Sequence, residues 1–172
     1  MLDNLTISHL ILLFAFYSFI GWVIEVVYRS ASQREFINAG FLYGPFVSLY
    51  GFGAVFIILL ESVIHQWPLP VKIITYGIIL TFIEYLTGLI LEKTFKLKLW
   101  DYSDNKFNLQ GRICLLFSLL WTILALIFVT LIHPAVLSYF QSLKTSLIHV
   151  LSVAFLLYTI FYYHVHLLLD LP

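Results

Sequence analysis

Five stretches of about twenty apolar residues, at 9–28, 44–65, 71–91, 113–132 and 145–168, dominate this 172-residue chain. A helix needs about 20 such residues to cross the hydrocarbon core of a bilayer. Inside lipid every backbone N–H and C=O must be bonded within the protein, which leaves helices as the form for single segments of this length. The expected fold class is therefore all-α: a polytopic membrane bundle of five transmembrane helices, forming one integral membrane domain over residues 1–172.

Composition agrees. Apolar residues make up 62% of the chain and charged residues 10%, against roughly 45–50% and about 25% in soluble domains. The mean hydropathy is +0.99. A water-soluble globule is excluded, and the polar segments are too short for an extramembrane domain of about 100 residues. Nine Lys and Arg balance nine Asp and Glu, so no basic surface points to nucleic acid. The single cysteine, Cys114, excludes an internal disulfide and a Cys-rich metal cluster. Met1–Asn4 lacks a basic n-region, and the apolar run after it exceeds a signal h-region, so the first segment is expected to be a retained helix.

Orientation follows from the basic residues, because cytoplasmic loops carry the excess of Lys and Arg. The first connection, 29–43, holds Arg29 and Arg34; the third, 92–112, holds Lys93, Lys96, Lys98, Lys106 and Arg112. Seven of the nine basic residues thus lie in two connections on one side. The expected topology has the N-terminus outside, the first and third connections inside and the C-terminus cytoplasmic. Pro68 and Pro70 make the second connection, 66–70, a tight turn, so the second and third helices are expected to be antiparallel neighbours. The fourth connection is placed at 133–144.

Each apolar segment carries polar and small residues at three- and four-residue steps, which line one helical face. In the first these are Ser18, Gly21, Glu25 and Arg29; in the second Gly44, Ser48, Gly51, Ala54 and Glu61; in the third Gly77, Thr81, Glu84, Gly88 and Glu92. The fourth offers Gly111, Cys114, Ser118, Thr122 and Ala125, and the fifth His149, Ser152, Thr159, Tyr163, His166 and Asp170. Small residues there let helix backbones approach closely, which is the structural use of such stripes. The carboxylates are different, since a charge at a helix centre costs roughly 2.5–3.5 kcal/mol on insertion scales and marks function by default. Glu84 lies about 12 Å deeper than Glu92, and Glu25 about 6 Å beneath Arg29, at 1.5 Å per residue. Both project into the cytoplasmic half. Each either fixes helix register by pairing with Arg29, Arg112 or a tyrosine, or binds a ligand or a proton. Glu61, one turn from the opposite face, is expected to reach the headgroups. Trp100, Tyr102 and the lysines of 92–112 read as an amphipathic segment in the inner headgroup zone; Asp101 and Asn108 are not explained by anchoring.

Several motifs carry a family resemblance. They are Phe16-Tyr17-Ser18-Phe19-Ile20-Gly21-Trp22-Val23-Ile24-Glu25, Gly40-Phe41-Leu42-Tyr43-Gly44-Pro45, Tyr50-Gly51-Phe52-Gly53-Ala54, Glu84-Tyr85-Leu86-Thr87-Gly88 with Leu91-Glu92-Lys93, Leu99-Trp100-Asp101-Tyr102-Ser103, and Asn108-Leu109-Gln110-Gly111-Arg112-Ile113-Cys114. Over roughly 14–125 the chain resembles the bacterial integral membrane family labelled "putative ABC-transporter type IV", the CmpB-like family. It departs from that pattern at Ala39, where members carry Arg, and at Ser48-Leu49, where they carry Pro-Ile. The resemblance implies a multi-pass permease-like protein of the bacterial cytoplasmic (inner) membrane. No Walker A pattern is present, so ATP hydrolysis would need a separate ATPase subunit docking on the cytoplasmic connections.

The candidate ligand-binding set is Glu25, Tyr50, Glu84, Glu92, Trp100, Asp101, Asn108 and Arg112, with no metal and no cofactor. The expected partners are the lipid bilayer and either an ATPase subunit or a second copy. Three readings stay open: a transporter subunit binding a small molecule or cation through buried carboxylates, an intramembrane enzyme using Glu84 and Glu92 with Asp101, His164 or His166, and a structural or regulatory subunit. The absence of Gly-x-Ser-x-Gly and His-Glu-x-x-His patterns weighs against the enzyme.

Overall fold

The computed structural model describes residues 5–40 and 44–169. It contains five helices: α1 Ile7–Gln33, α2 Ser48–Ile64, α3 Leu69–Phe95, α4 Leu115–Ser142 and α5 Thr145–Leu169. A two-stranded antiparallel ribbon, β1 Asn108–Leu109 and β2 Ile113–Cys114, joins α3 to α4. Four of the helices are long and apolar enough to cross a membrane, α5 over its stretch Thr145–Tyr162; α2 is apolar but has 17 residues. Four of the five expected spans thus meet the length of a crossing helix, and the fifth, α2, is an apolar helix of about 25 Å.

The differences from the expected boundaries have local causes. α2 begins at Ser48 rather than at 44 because Pro45 has no N–H to give, and the Val47 N–H bonds back to the Ser18 carbonyl at 2.9 Å. α4 runs straight through the expected connection at 133–144. Pro134 removes one helical hydrogen bond and crowds the carbonyl four residues earlier; the wider π turn Phe128–Ile132 sits where that strain falls and lets the helix continue. α1 ends at Arg34 and α3 at Lys96, each with a left-handed backbone (φ 58° and 57°). The tight turn at Pro68 and Pro70 is present: Pro68 caps α3 and the Trp67 N–H bonds to Ile64 at 2.8 Å.

The chain forms two compact units, Met1–Val55 with Leu137–Pro172, and Phe56–Val136. In the first, α1 packs on α5. Leu13, Tyr17, Phe140 and Ile148 are buried there, Phe14 lies against Phe52 and Phe155, and Ser8 meets His149 at 2.6 Å. In the second, α3 packs on α4, and Ile57, Ile64, Tyr76 and Ala125 form the core. Gly77 lets Thr122 come so close that a Cβ would stand 2.7 Å from its hydroxyl, the close backbone approach expected of small residues in membrane helices. The outward faces of the helices carry exposed Phe82, Ile78, Leu131, Val150 and Leu157, as suits side chains whose solvent is lipid.

Glu61 does not reach outward as expected. Its carboxylate takes the Lys72 ammonium at 2.6 Å and the Tyr76 hydroxyl, and both charged side chains are only 14% exposed.

Candidate functional site

Each unit builds one centre around a carboxylate. In the first, α1 presents Glu25 two turns after Ser18. Oε1 accepts the Tyr50 hydroxyl at 3.0 Å and Oε2 accepts Arg29 Nε at 2.9 Å. Gly21 makes this possible: a Cβ there would run into the base of the Tyr50 ring. Gly51 does the same for Ser18, whose hydroxyl a Cβ would strike. The connection after α1 is tied back through Asn38, which accepts the Trp22 indole N–H at 2.7 Å and the Gly40 N–H at 3.0 Å. Gly40 and Gly44 face one another across this connection, so closely that a Cβ on Gly40 would meet the Gly44 carbonyl.

Alanine at Gly21 is therefore expected to push Tyr50 off Glu25. The collision involves Tyr50 Cβ and Cγ, which cannot swing away as a ring edge can. Overpacking of this kind costs about 1–3 kcal/mol. Thermal unfolding should show that loss in Gly21→Ala, and a smaller one when Tyr50→Ala is already present.

In the second unit the residues between α3 and α4, most of them exposed, form no helix. They fold into turns and the short ribbon, and dock on α3 and α4. Four residues with positive φ make the bends: Lys96, Phe107, Gln110 and Gly111. Asp101 Oδ1 accepts the Ser103 N–H and hydroxyl at 2.9 and 2.6 Å, while Oδ2 meets Lys98 at 2.5 Å. Lys98 and then Ser103 hold the Asp101 carboxyl well below the usual carboxylate range. Asn108 pins the same turns, donating to the Ser103 and Asn105 carbonyls and accepting from the Gly111 N–H. These two polar residues, which anchoring did not explain, thus tie the hairpin together.

The folded hairpin delivers two aromatic side chains to α3. Trp100 donates its indole N–H to the Arg112 carbonyl at 2.8 Å and lies beside Gly88, where a Cβ would stand 3.3 Å from its ring. Tyr102, two residues on, stacks on Phe117 at 4.3 Å and donates its hydroxyl to Glu84 Oε1 at 3.0 Å. Glu84 is 3% exposed. The Trp121 side chain also interacts with its carboxyl group. Among the described residues no basic side chain forms an ion pair with Glu84, and its buried Oε2 closes no hydrogen bond of ordinary geometry.

Glu92 lies elsewhere on α3 and is bound to Arg112, which also reaches Gln110 and sits over the Tyr85 ring at 5.8 Å. A small cleft of about 10 Å³, lined by Gly88, Glu92, Lys98, Trp100 and Arg112 among others, has room for about one water molecule. The structure thus brings Glu25 and Tyr50 together in one unit. In the other it places Glu84, Glu92, Trp100, Asp101, Asn108 and Arg112 around the hairpin. Tyr102 and Trp121 were missed as site residues although both stand in or beside the quoted motifs. Their signal was available: Trp121 lies three residues after Ser118 on the polar face of the fourth segment, and Tyr102 alternates with Trp100. His164 lies in α5. The side chains of Tyr163 and His166, and all of Asp170, lie outside the described residues.

Long apolar helices that keep carboxylates on their inward faces define a multi-helix membrane protein. The family model described as "Putative ABC-transporter type IV" matches residues 12–166, and the chain belongs to that family. No curated protein and no solved structure matches it.

Proposed function

We propose that this chain is a permease-type subunit of a bacterial cytoplasmic-membrane transporter, and that Glu84 is the centre at which it binds a cation, a proton or the basic group of a small molecule. One observation carries this reading. The helical carboxylates Glu25, Glu61 and Glu92 are each neutralised by Arg29, Lys72 and Arg112, whereas Glu84, the most deeply buried, has a tyrosine hydroxyl and an indole but no basic partner among the described residues. An isolated ionised carboxylate is too costly in an apolar medium to persist without a counter-charge or a proton. The family supports the transporter class. The distribution of Lys and Arg supports an arrangement with the N-terminus outside, the connections after α1 and α3 in the cytoplasm and the C-terminus inside, with all five helices crossing. Non-helical backbone packed against membrane helices, as in the 96–114 hairpin, is a device transporters use to line a site. The cytoplasmic connections are the surface on which an ATPase subunit would dock.

Native mass spectrometry of the purified protein tests the reading. Wild type is expected to retain a specific small mass that disappears in Glu84→Gln. Equal retention in wild type and Glu84→Gln, with undiminished function in cells, would remove Glu84 from the site.

A further inference from the structure

The two carboxylate centres are built alike, and the difference between them indicates what the second one accepts. In each unit a 27-residue helix carries the carboxylate and ends at a basic residue in the left-handed conformation, Arg34 or Lys96. In each, the following non-helical connection leads to a second helix that packs by close approach at a glycine, Gly51 on Ser18 or Thr122 on Gly77. In each, a tyrosine hydroxyl donates to Oε1 of the glutamate at 3.0 Å. At Glu25 the other oxygen holds the guanidinium of Arg29, four residues on. Four residues after Glu84 the chain has Gly88. Oε2 of Glu84 is therefore the counterpart of an oxygen that, in the first unit, already has its cation.

We propose that the Glu84 centre takes an organic cation with a guanidinium or ammonium head, the group that Arg29 supplies from within the chain at Glu25. The proposal rests on the reading of Glu84 as a binding centre and narrows its ligand class. The surroundings of Glu84 favour this class over an inorganic ion. A hard cation such as Ca²⁺ or Mg²⁺ requires six or more oxygen ligands. Among the described residues the groups that meet the Glu84 carboxyl are the Tyr102 hydroxyl and Trp121, whose indole has no lone pair to offer. Tyr102, stacked on Phe117, and Trp121 meet the carboxyl through their O–H and N–H groups, so the lone pairs that remain suit a cation that itself donates hydrogen bonds, as a guanidinium or ammonium does. Since Glu84 is covered by the hairpin, the cation must displace the Tyr102 hydroxyl or share the carboxylate with it.

The test is thermal unfolding of the full-length protein in detergent, with methylguanidinium, methylammonium, sodium and potassium chlorides at matched ionic strength. A saturable rise in melting temperature with methylguanidinium or methylammonium, absent with sodium and potassium and lost in Glu84→Gln, is the expected result. Glu84→Asp, which keeps the charge and shortens the side chain, should raise the half-saturating concentration at least tenfold; it also replaces Glu84→Gln if that variant does not fold. A Glu84-dependent rise with sodium or potassium alone would overturn the organic-cation assignment and leave Glu84 as a binding centre. A rise that persists unchanged in Glu84→Gln would overturn both. No rise with any of the four salts would overturn the assignment, and the retained-mass measurement then judges the centre itself.

Discussion

Glu61→Ala is expected to destabilise the fold by about 3–4 kcal/mol, because it strands a buried ammonium. Lys72 and Glu61 are each only 14% exposed, and the Tyr76 hydroxyl also donates to the same carboxylate while its ring fills the core at 1% exposure. Removing the carboxylate leaves Lys72 without a counter-charge and Tyr76 without its acceptor, at the point where α2 turns into α3. Chemical denaturation in micelles should show the loss. The cost comes from the orphaned partners rather than from the value of the pair itself. Replacing the cluster by apolar residues of similar size, Glu61→Leu with Lys72→Met and Tyr76→Phe, should therefore recover most of the stability. A triple variant as unstable as Glu61→Ala would contradict this account.

Arg112→Ala should be the second large effect, about 3 kcal/mol, the low end for a buried pair because Glu92 is a quarter exposed. Arg112 links the hairpin to α3 through Glu92 and to the Tyr85 ring, so its loss loosens the hairpin more than it unfolds the helices. The native thiol reports this. Cys114 is the only cysteine in the chain and is 1% exposed, in β2 opposite Asn108. Its rate of reaction with a small maleimide is expected to rise at least tenfold in Arg112→Ala, with little change in helical content. Glu92→Gln should act in the same direction, and the double variant should cost less than the two single changes added together, since the two residues act through one contact. An unchanged labelling rate would show that the ribbon is held without this pair.

Much of the helical architecture was legible in the chain. The positions of α1, α3 and α5 follow from hydrophobic length, and the turn before α3 from Pro68 and Pro70, because a segment's partition into lipid depends on its own composition. The helix-borne carboxylates were legible as well: Glu25, Glu84 and Glu92 stood out because a charge on an apolar helix is expensive wherever it lies. The extent of α4 was not, since Pro134 and the polar residues after it resemble a connection, and only the π turn at 128–132 shows how the helix absorbs them. Nor was the hairpin. Its lysines and aromatics have the composition of an interfacial segment, while its actual form depends on four positive-φ residues and on hydrogen bonds made by Asp101 and Asn108 across several turns.

What the amino-acid order determined by itself is the class of protein: apolar helices, a membrane environment, and a few acidic groups confined to inward faces. These are properties of single segments, decided by the free energy of moving each from water to lipid. Only the tertiary structure decided which of those acids has a basic partner. Glu61 finds Lys72 on the next helix, Glu92 finds Arg112 beyond a folded hairpin, and Glu84 meets a tyrosine hydroxyl and an indole but no basic side chain among the described residues. Neutralising a charge in a low-dielectric interior depends on what lies within a few ångströms of it, and that is set by packing between elements distant in the chain.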